Sequence, residues 1–279
     1  MTLFEVYKQA LTKLQNPDVE EINIRILLSE VNSLKSMSDF YLRKDEEIRD
    51  LPRFQSYFDR YLKGEPIQYI LSKTDFLGLE IKVDPRVLIP RQESEEVVHF
   101  AIKKAHEVFG SKPVDIADIC SGSGAMGIVL SKNLIPNKTI FSDISKDALD
   151  VCKENCSYHD IKAVFYQGDA LEQLIKNNEK VDISISNPPY ILDNETVDKS
   201  VLDYEPHIAL FTDDQFSIYE RIISKLDLIK KGTLLMVFEL GINTKPAVET
   251  MIKKYHPNSE YGFIKDINGK ERILYIVLR

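Results

Sequence analysis

The chain has 279 residues, 43% of them hydrophobic and 29% charged, and its 36 Lys and Arg against 44 Asp and Glu give a formal net charge of −8. This composition excludes disordered and fibrous proteins. No apolar run approaches the ~20 residues that span a bilayer, and the amino end lacks a secretory layout, so we expect no membrane association. Three cysteines do not predict a disulfide framework, and a cytoplasmic location is expected. The acidic balance disfavours direct binding to nucleic acid.

The first 72 residues have the apolar spacing of helices. Apolar side chains recur at three- and four-residue intervals over Leu3–Leu14, Ile22–Val31 and Phe54–Leu62, which predicts amphipathic helices. Gly64-Glu65-Pro66 is predicted to end this block, because Gly caps a helix well and Pro cannot continue one. We therefore predict a helical domain over residues 1–72.

The spacing of the apolar residues changes after this helical block. Residues 76–83 alternate like the arm of a β-hairpin, which predicts a hairpin linker over residues 73–90. From about residue 112 apolar strands alternate with helical patterns, and Asn268-Gly269 is a strong turn signal between the last two strands. The remaining residues, 91–279, are thus predicted to form an α/β domain with a mostly parallel sheet and an antiparallel edge hairpin. Its strands are predicted at Val114–Ile119, Thr139–Phe141, Val164–Tyr166, Val181–Ser186, Leu234–Glu239, Tyr261–Ile264 and Ile273–Leu278.

A turn of small residues follows the first of these strands. Cys120-Ser121-Gly122-Ser123-Gly124 lets the backbone approach a ligand, and the next helix offers free N–H groups. Asp143 ends the second strand, where a carboxylate can accept both hydroxyls of a ribose. This combination predicts a cofactor that contains adenosine, although a merely structural turn is the alternative. Since the turn has no Lys or Arg, we favour a cofactor without phosphate, and S-adenosylmethionine fits.

Asn187-Pro188-Pro189-Tyr190 follows the fourth strand directly. Ligands of an open α/β sheet lie beyond the carboxyl ends of its strands, and residues before Pro stay extended. The Asn187 side-chain carbonyl and the Pro188 backbone carbonyl can accept both hydrogens of a planar –NH2 group, on which the Tyr190 ring can stack. Such a turn predicts a site that aims an amide or aryl amine at a methyl donor. A structural Pro-Pro turn is the alternative.

In these motifs the sequence resembles bacterial release-factor glutamine methyltransferases of the HemK/PrmC type, which share Asn-Pro-Pro-Tyr with amino-directed DNA methyltransferases. The resemblance covers residues ~60 to the end, whereas the helical domain is similar only in length and character. Further motifs similar to the family's are Gly64-Glu65-Pro66-Ile67-Gln68-Tyr69-Ile70, Phe76-x-Gly78, Leu88-Ile89-Pro90-Arg91-Gln92-Glu93-Ser94-Glu95, Tyr204-Glu205-Pro206, Glu239-Leu240-Gly241 and Asp266-x-x-Gly269-x-x-Arg272.

The resemblance implies a Rossmann-like class I methyltransferase domain and S-adenosylmethionine as the cofactor. It implies cofactor binding by Cys120, Ser121, Gly122, Ser123, Gly124, Asp143, Ala170 and Asn187, and binding of the substrate glutamine by Asn187, Pro188, Pro189 and Tyr190. Of these, Asn187, Pro188 and Tyr190 are expected to be catalytic. The sequence departs from the family at Cys120, where Gly is usual, at Gln92, where a second Pro is usual, and at Ser94, where Thr is usual.

Three functions remain open at this point. The first is methylation of a glutamine side-chain nitrogen (N5) in peptide chain release factors, with residues 1–72 recognising the protein substrate; a ribosomal-protein glutamine is a variant of it. The second is methylation of an exocyclic amine of a DNA or RNA base, and the third is a non-catalytic binding protein. Against the second, residues 1–72 hold ten Lys and Arg but twelve Asp and Glu, whereas duplex binding commonly uses a basic surface. The cysteines and histidines have no metal-ligand spacing, so no metal is expected.

Overall fold

The computed structural model describes residues 1–14, 17–192, 197–212, 214 and 216–279. The chain separates into two units, Met1–Ser72 with Asp198–Tyr204, and Lys73–Val197 with Glu205–Arg279. The short later segment therefore groups with the helical unit, although the predicted boundaries assign it to the second domain. Within the described residues no helix is both long and apolar enough to cross a membrane.

The first unit consists of helices, and those of residues 1–72 share one apolar core. They are α1 (Leu3–Leu11), α2 (Pro17–Asn32), α3 (Met37–Leu42), α4 (Leu51–Leu62), α5 (Ile67–Leu71) and, from the later segment, α10 (Lys199–Tyr204). Thr2 and Ser36 begin α1 and α3 with capping boxes completed by Glu5 and Asp39, which satisfy backbone N–H groups that a helix start leaves free. The core includes the fully buried side chains Leu3, Ile24, Leu27, Leu28 and Phe40.

The predicted end of the helical block at Gly64-Glu65-Pro66 is wrong by one short helix. Gly64 adopts a left-handed φ of +89°, and Pro66 then stands at the N-cap of α5. Pro is well tolerated at a helix start, where its missing N–H would have no partner in any case. It therefore begins a new helix rather than ending the helical part of the chain.

The second unit opens with the hairpin of β1 (Lys73–Phe76) and β2 (Leu79–Lys82), paired antiparallel. Leu77 and Gly78 form its turn with φ of +52° and +76°, as the twist of a two-residue hairpin requires. The alternating run over residues 76–83 is thus not a single arm, because the turn lies inside it.

A seven-stranded sheet forms the centre of this unit. Its strands are β3 (Val114–Ile119), β4 (Pro136–Asp143), β5 (Val164–Gln167), β6 (Val181–Ser186), β9 (Lys230–Glu239), β10 (Glu260–Lys265) and β11 (Glu271–Leu278), and a separate pair is formed by β7 (Ile191–Leu192) and β8 (Phe211–Thr212). The order is β10-β11-β9-β6-β3-β4-β5. All pairs from β9 to β5 are parallel, whereas β11 is antiparallel to both neighbours. This confirms the predicted mostly parallel sheet with an antiparallel edge hairpin.

The connections of this sheet are largely helical. They are α6 (Gln92–Phe109), α7 (Ala125–Asn133), α8 (Lys146–Tyr158), α9 (Glu172–Lys176), α11 (His207–Leu210), α12 (Ser217–Ile223), α13 (Lys245–Tyr255) and a 3₁₀ turn at Leu226–Leu228. The central strands are buried on both faces, and β3 and β6 each read as a nearly continuous buried run, as parallel strands covered by helices do. Because β3, β4 and β6 are parallel neighbours, the turns that follow them emerge at one edge of the sheet, where α/β proteins bind ligands.

Candidate active site

A cavity of about 370 Å³ lies at this edge, within the second unit. This volume falls in the range of small-molecule sites. Residues of all three strand-ending turns line it, which brings together most of the predicted site residues: Cys120, Ser121, Gly122, Ser123, Asp143, Ala170, Asn187 and Pro189. The other three, Gly124, Pro188 and Tyr190, are not among the lining residues.

The turn after β3 is held in left-handed backbone conformations. Cys120, Gly122 and Gly124 have φ of +59°, +52° and +82°, and the Gly124 N–H donates to the Ser121 carbonyl at 2.8 Å. A Cβ on Gly124 would lie 2.5 Å from Cys152 Sγ of α8, so only glycine fits there. Cys120 adopts the required angle at a cost of about 1–2 kcal/mol for a residue with a side chain. Burial raises the pKa of the Cys120 thiol, which keeps it neutral.

Asp143 closes the turn from the end of β4. One of its oxygens accepts the Gly122 N–H and the other the Ser145 N–H, each at 2.8 Å. Burial raises the pKa of this carboxyl, and the backbone N–H groups partly oppose that rise. Each carboxylate oxygen has a further lone pair. Asp143 is therefore fixed in place and can still accept hydroxyl groups from a ligand in the cavity.

Asp118, inside β3, binds the start of α7, the helix that follows the same turn. Its side chain is 1% exposed, and its Oδ2 accepts the Gly127 N–H at 2.8 Å in the first turn of α7. Burial raises the pKa of Asp118 well above its usual range. No motif predicted a role for Asp118, although an acidic residue within an apolar strand indicates a specific hydrogen-bond partner.

Asn187 stands at the end of β6, half-buried, on the cavity wall. Its Nδ2 donates to Ser94 Oγ at 3.4 Å, and Ser94 Oγ in turn donates to Glu239 Oε2 at 2.5 Å. Ser94 belongs to α6 and Glu239 ends β9, so two distant elements meet behind the turn. Pro188 is buried beside Asn187, and its peptide bond is trans like all others described. The arrangement fixes the Asn187 amide at the cavity wall.

The Tyr190 side chain packs behind the turn. Its ring covers Gly241, where a Cβ would come within 2.8 Å of the ring atoms, and its hydroxyl donates to Glu239 Oε1 at 3.4 Å. Burial raises the pKa of Tyr190, so the phenol stays protonated and able to donate. The Glu239-Leu240-Gly241 segment thus supplies both the acceptor and the space for this ring.

Two family models match the chain: "PrmC N-terminal domain" over residues 5–71 and "Methyltransferase small domain" over residues 102–203. The release factor glutamine methyltransferase of Bacillus subtilis (strain 168) is 36% identical over 98% of this chain and 96% of its own length. The chain belongs to this family. The enzyme of the same name from Staphylococcus aureus (strain NCTC 8325 / PS 47) is 36% identical to this methyltransferase over 80% of the chain and 79% of the relative.

Solved structures confirm the class I methyltransferase fold of this family member. The T. thermophilus 16S rRNA N2 G1207 methyltransferase (RsmC), solved in complex with AdoMet and guanosine, superposes with a TM-score of 0.51. The match covers 74% of this chain and 50% of that one at 13% identity. At that identity the likeness concerns the fold alone. The predicted fold class, enzyme class and cofactor are confirmed: the chain is an S-adenosylmethionine-dependent methyltransferase.

The cavity of this methyltransferase has the groups that S-adenosylmethionine requires. Asp143 suits a ribose, and the start of α7 offers N–H groups to a carboxylate. Ser121 Oγ is buried and, among the described residues, has no hydrogen-bond partner, so it is available to a polar ligand group. The glycines do not select this cofactor by themselves, because Gly122-x-Gly124-x-x-Gly127 also has the spacing of dinucleotide sites. Family membership decides between S-adenosylmethionine and a dinucleotide.

The structure also shows the contacts of two motifs that the sequence indicated only by resemblance to the family. Glu205, 3% exposed, pairs with Arg91 at 2.5 Å and accepts the Ile89 N–H at 3.1 Å. Arg91 lines the cavity. The Tyr204-Glu205-Pro206 motif therefore anchors the Leu88–Glu95 motif beside the turn at Cys120–Gly124, the cofactor turn. Among the described residues no cluster of three or more His, Cys, Asp or Glu side chains could hold a metal ion.

Proposed function

We propose that this enzyme transfers the methyl group of S-adenosylmethionine to the side-chain amide nitrogen (N5) of a glutamine in a peptide chain release factor. The observation that carries the proposal is that Asn187 and Pro189 line the same cavity as Asp143 and the turn at Cys120–Ser123. A methyl donor held by that turn and an amide held at Asn187 would share one enclosed space. The names of the relatives, release factor glutamine methyltransferases, supply the substrate.

The residues of the Asn187 turn have the chemistry that an amide acceptor needs. When bound, the cofactor supplies an electrophilic methyl group on a sulfonium sulfur. The Asn187 Oδ1 and the Pro188 carbonyl accept the two N–H bonds of the glutamine amide, which orients its nitrogen and raises its electron density. With the cofactor bound, the nitrogen held at Asn187 and Pro188 would be placed to take the methyl group as the sulfur–carbon bond breaks, and would then release a proton to solvent. Pro189 stiffens the turn and lines the cavity, and Tyr190 supports the turn from behind, against Gly241 and Glu239.

We assign recognition of the protein substrate to the helical domain, residues 1–72. This domain carries a net charge of −2, with ten Lys and Arg and twelve Asp and Glu. It exposes Tyr41 and Leu42 to 53% and 82%. Exposed apolar groups on an acidic surface suit a protein partner better than a nucleic acid, which is commonly bound by basic residues. The three free cysteines of the chain, Cys120, Cys152 and Cys156, favour the reducing cytoplasm as the location of the enzyme.

The proposal is tested with labelled S-adenosylmethionine and four acceptors in parallel. These are a release factor, the same release factor with its acceptor glutamine replaced by glutamate, a mixture of ribosomal proteins and double-stranded DNA. Mass spectrometry of the products is expected to place one methyl group on the glutamine side chain of the first acceptor only. Label on DNA would favour a base amine, and label only on ribosomal protein would favour a different glutamine; either result contradicts the proposal.

A further inference from the structure

We infer that Ser94 and Glu239 are positioning residues that fix which end of the Asn187 amide faces the substrate, and so make the site select a carboxamide over a carboxylate. The inference rests on the proposed function, since it concerns how Asn187 recognises the glutamine amide.

The three side chains form a hydrogen-bonded chain in a fixed direction. Ser94 is 3% exposed and Glu239 is 1% exposed, so neither exchanges its partners freely with bulk water. Ser94 Oγ lies 2.5 Å from Glu239 Oε2 and 3.4 Å from Asn187 Nδ2. The second Glu239 oxygen is occupied by the Tyr190 hydroxyl. The carboxylate therefore receives two donors, and both of them come from the elements that surround the Asn187 turn.

The direction follows from counting protons. A serine hydroxyl has one hydrogen to donate, and an ionised carboxylate can only accept. Because Ser94 gives its hydrogen to Glu239, it offers only lone pairs to Asn187. Asn187 must then turn its NH2 group toward Ser94 and its carbonyl oxygen away from Ser94. With the amide reversed, two oxygens would face each other without a hydrogen between them.

Burial and the nearby Glu93 charge raise the pKa of Glu239, and the Ser94 and Tyr190 hydroxyls and the Arg272 charge oppose only part of that rise. The donor–acceptor order rests on the contact itself, in which Ser94 Oγ donates to Glu239 Oε2 at 2.5 Å.

This order has a consequence for specificity. A glutamine amide brings N–H donors to the Asn187 carbonyl, whereas a glutamate carboxylate brings only acceptors and would be repelled by it. A site built to bind an N–H group discriminates strongly against an analogue that lacks it, because the buried acceptor is left unpaired. Ser94 and Glu239 therefore act on selectivity through Asn187.

The test uses the full-length enzyme in four variants: Ser94→Ala, Ser94→Thr, Glu239→Gln and Ser131→Ala. Ser131 is the matched control, because it is 6% exposed and shares a hydrogen bond with Thr139 at 2.9 Å outside the cavity lining. For each variant we would measure kcat and KM on a release factor, and the inhibition constant of the same factor with glutamate in place of the acceptor glutamine. Calorimetry with S-adenosylmethionine and thermal melting would report on the cofactor turn and the fold.

Ser94→Ala and Glu239→Gln are expected to lower kcat about tenfold, and to reduce the preference for glutamine over glutamate by a similar factor. Glu239→Gln is the sharper variant, since its amide can donate to Ser94 and so reverse the chain while keeping its shape. Ser94→Thr, which retains the hydroxyl, is expected to recover most of the activity, and Ser131→Ala to behave like the wild type. Cofactor affinity should not change in any of them.

Several results would overturn the inference. If Ser94→Ala and Glu239→Gln kept the wild-type kcat and preference for glutamine, the pair would not position Asn187. If cofactor affinity or melting temperature fell in proportion to kcat, the role would be structural. A wild-type enzyme that methylates no release factor overturns the proposed function and this inference with it, whereas loss of the variant effects alone leaves the proposed function standing.

Discussion

The two turns that line the cavity are built in different ways. In the cofactor turn, Asp143 binds the Gly122 N–H, a partner 21 residues away in the chain, within one strand–helix–strand unit. In the turn at Asn187–Tyr190, the acceptor turn, the Asn187 side chain donates a hydrogen bond to Ser94, 93 residues away in the chain. Ser94 in turn donates to Glu239, 145 residues from Ser94. The first turn is thus determined by a short piece of sequence, and the second by the assembly of the whole α/β unit. Changes at the acceptor turn should impair methyl transfer, and changes at the cofactor turn should impair cofactor affinity.

The largest effect is expected from Asn187→Ala. The variant loses the acceptor that orients the substrate nitrogen, so kcat should fall by about 10²–10³-fold, the scale for removing one preorganised polar group from a reacting centre. Cofactor affinity, measured by calorimetry, should remain close to that of the wild type. A primary loss of cofactor affinity or of folding would remove Asn187 from the role assigned here.

Gly241→Ala tests the support of the acceptor turn from a distance. The new Cβ would lie 2.8 Å from the Tyr190 ring, so the ring and the turn must move. Overpacking of this kind costs about 1–3 kcal/mol, and we expect kcat to fall about tenfold with little change in cofactor affinity.

Gly232→Ala is the matched control for that change. Gly232 lies in β9, the strand that ends two residues before Gly241, has no positive φ, and has no atom within 4 Å of the new methyl group. It should be active like the wild type. Equal activity of the two variants would show that Tyr190 needs no fixed position.

Asp143→Ala should lower the affinity for the cofactor rather than kcat. Loss of hydrogen bonds to a charged group is expected to weaken S-adenosylmethionine binding by about ten- to hundredfold, while kcat at saturating cofactor changes little. Asp150→Ala serves as the control, because it removes the same charge from an exposed position on α8, where Asp150 pairs with Lys153. Unchanged binding of the cofactor to the Asp143 variant, measured by calorimetry, would exclude Asp143 from the ribose site.

A smaller effect is expected from pH. Besides accepting the two backbone N–H groups, only the ionised Asp143 keeps a lone pair on each oxygen for hydroxyl groups, and burial raises its pKa above the ordinary value of 3.8. Cofactor affinity should therefore fall on acidification, starting at a higher pH than an exposed aspartate would give.

Loss of stability does not explain this fall. Because the pKa of Asp143 is raised in the folded state, its contribution to stability is present below the unfolded pKa and is lost as the pH rises through the folded one. Calorimetry from pH 7.5 downwards, with circular dichroism as a check of folding, measures the effect. Asp143→Ala should lack this pH dependence, and an identical dependence in the variant would assign it to another group.

Sequence patterns predicted the parts of the fold that buried strands determine. The bounds predicted for Val114–Ile119 and Val181–Ser186 agree with β3 and β6, because both are short apolar runs between turn residues. The predicted β9 began too late, since its first residues, from Lys230, are half-buried or exposed and have no apolar pattern. The two-residue strands β7 and β8 are too short to produce any pattern.

The geometry of the site was predicted in part, whereas the roles of its residues stay predictions. The proximity of Asp143 to the turn at Cys120–Gly124 could be predicted because the two lie close together in the chain. The positions of Asn187 and Pro189 on the cavity wall followed from the rule on strand ends. The partnership of Ser94 with Glu239 could not be predicted, because hydrogen bonds between residues so far apart depend on how α6 and β9 pack. The Tyr190–Gly241 contact has the same origin.

The central claim is that the Asn187 turn holds a glutamine amide by its two N–H bonds. It is tested most directly by a crystal structure of the enzyme with S-adenosylhomocysteine and a release-factor peptide that contains the acceptor glutamine. The account predicts that Asn187 Oδ1 and the Pro188 carbonyl each lie at about 3 Å from the glutamine nitrogen, on the side opposite the cofactor sulfur. A glutamine nitrogen bound elsewhere, or an Asn187 that points its NH2 group at the peptide, would contradict it.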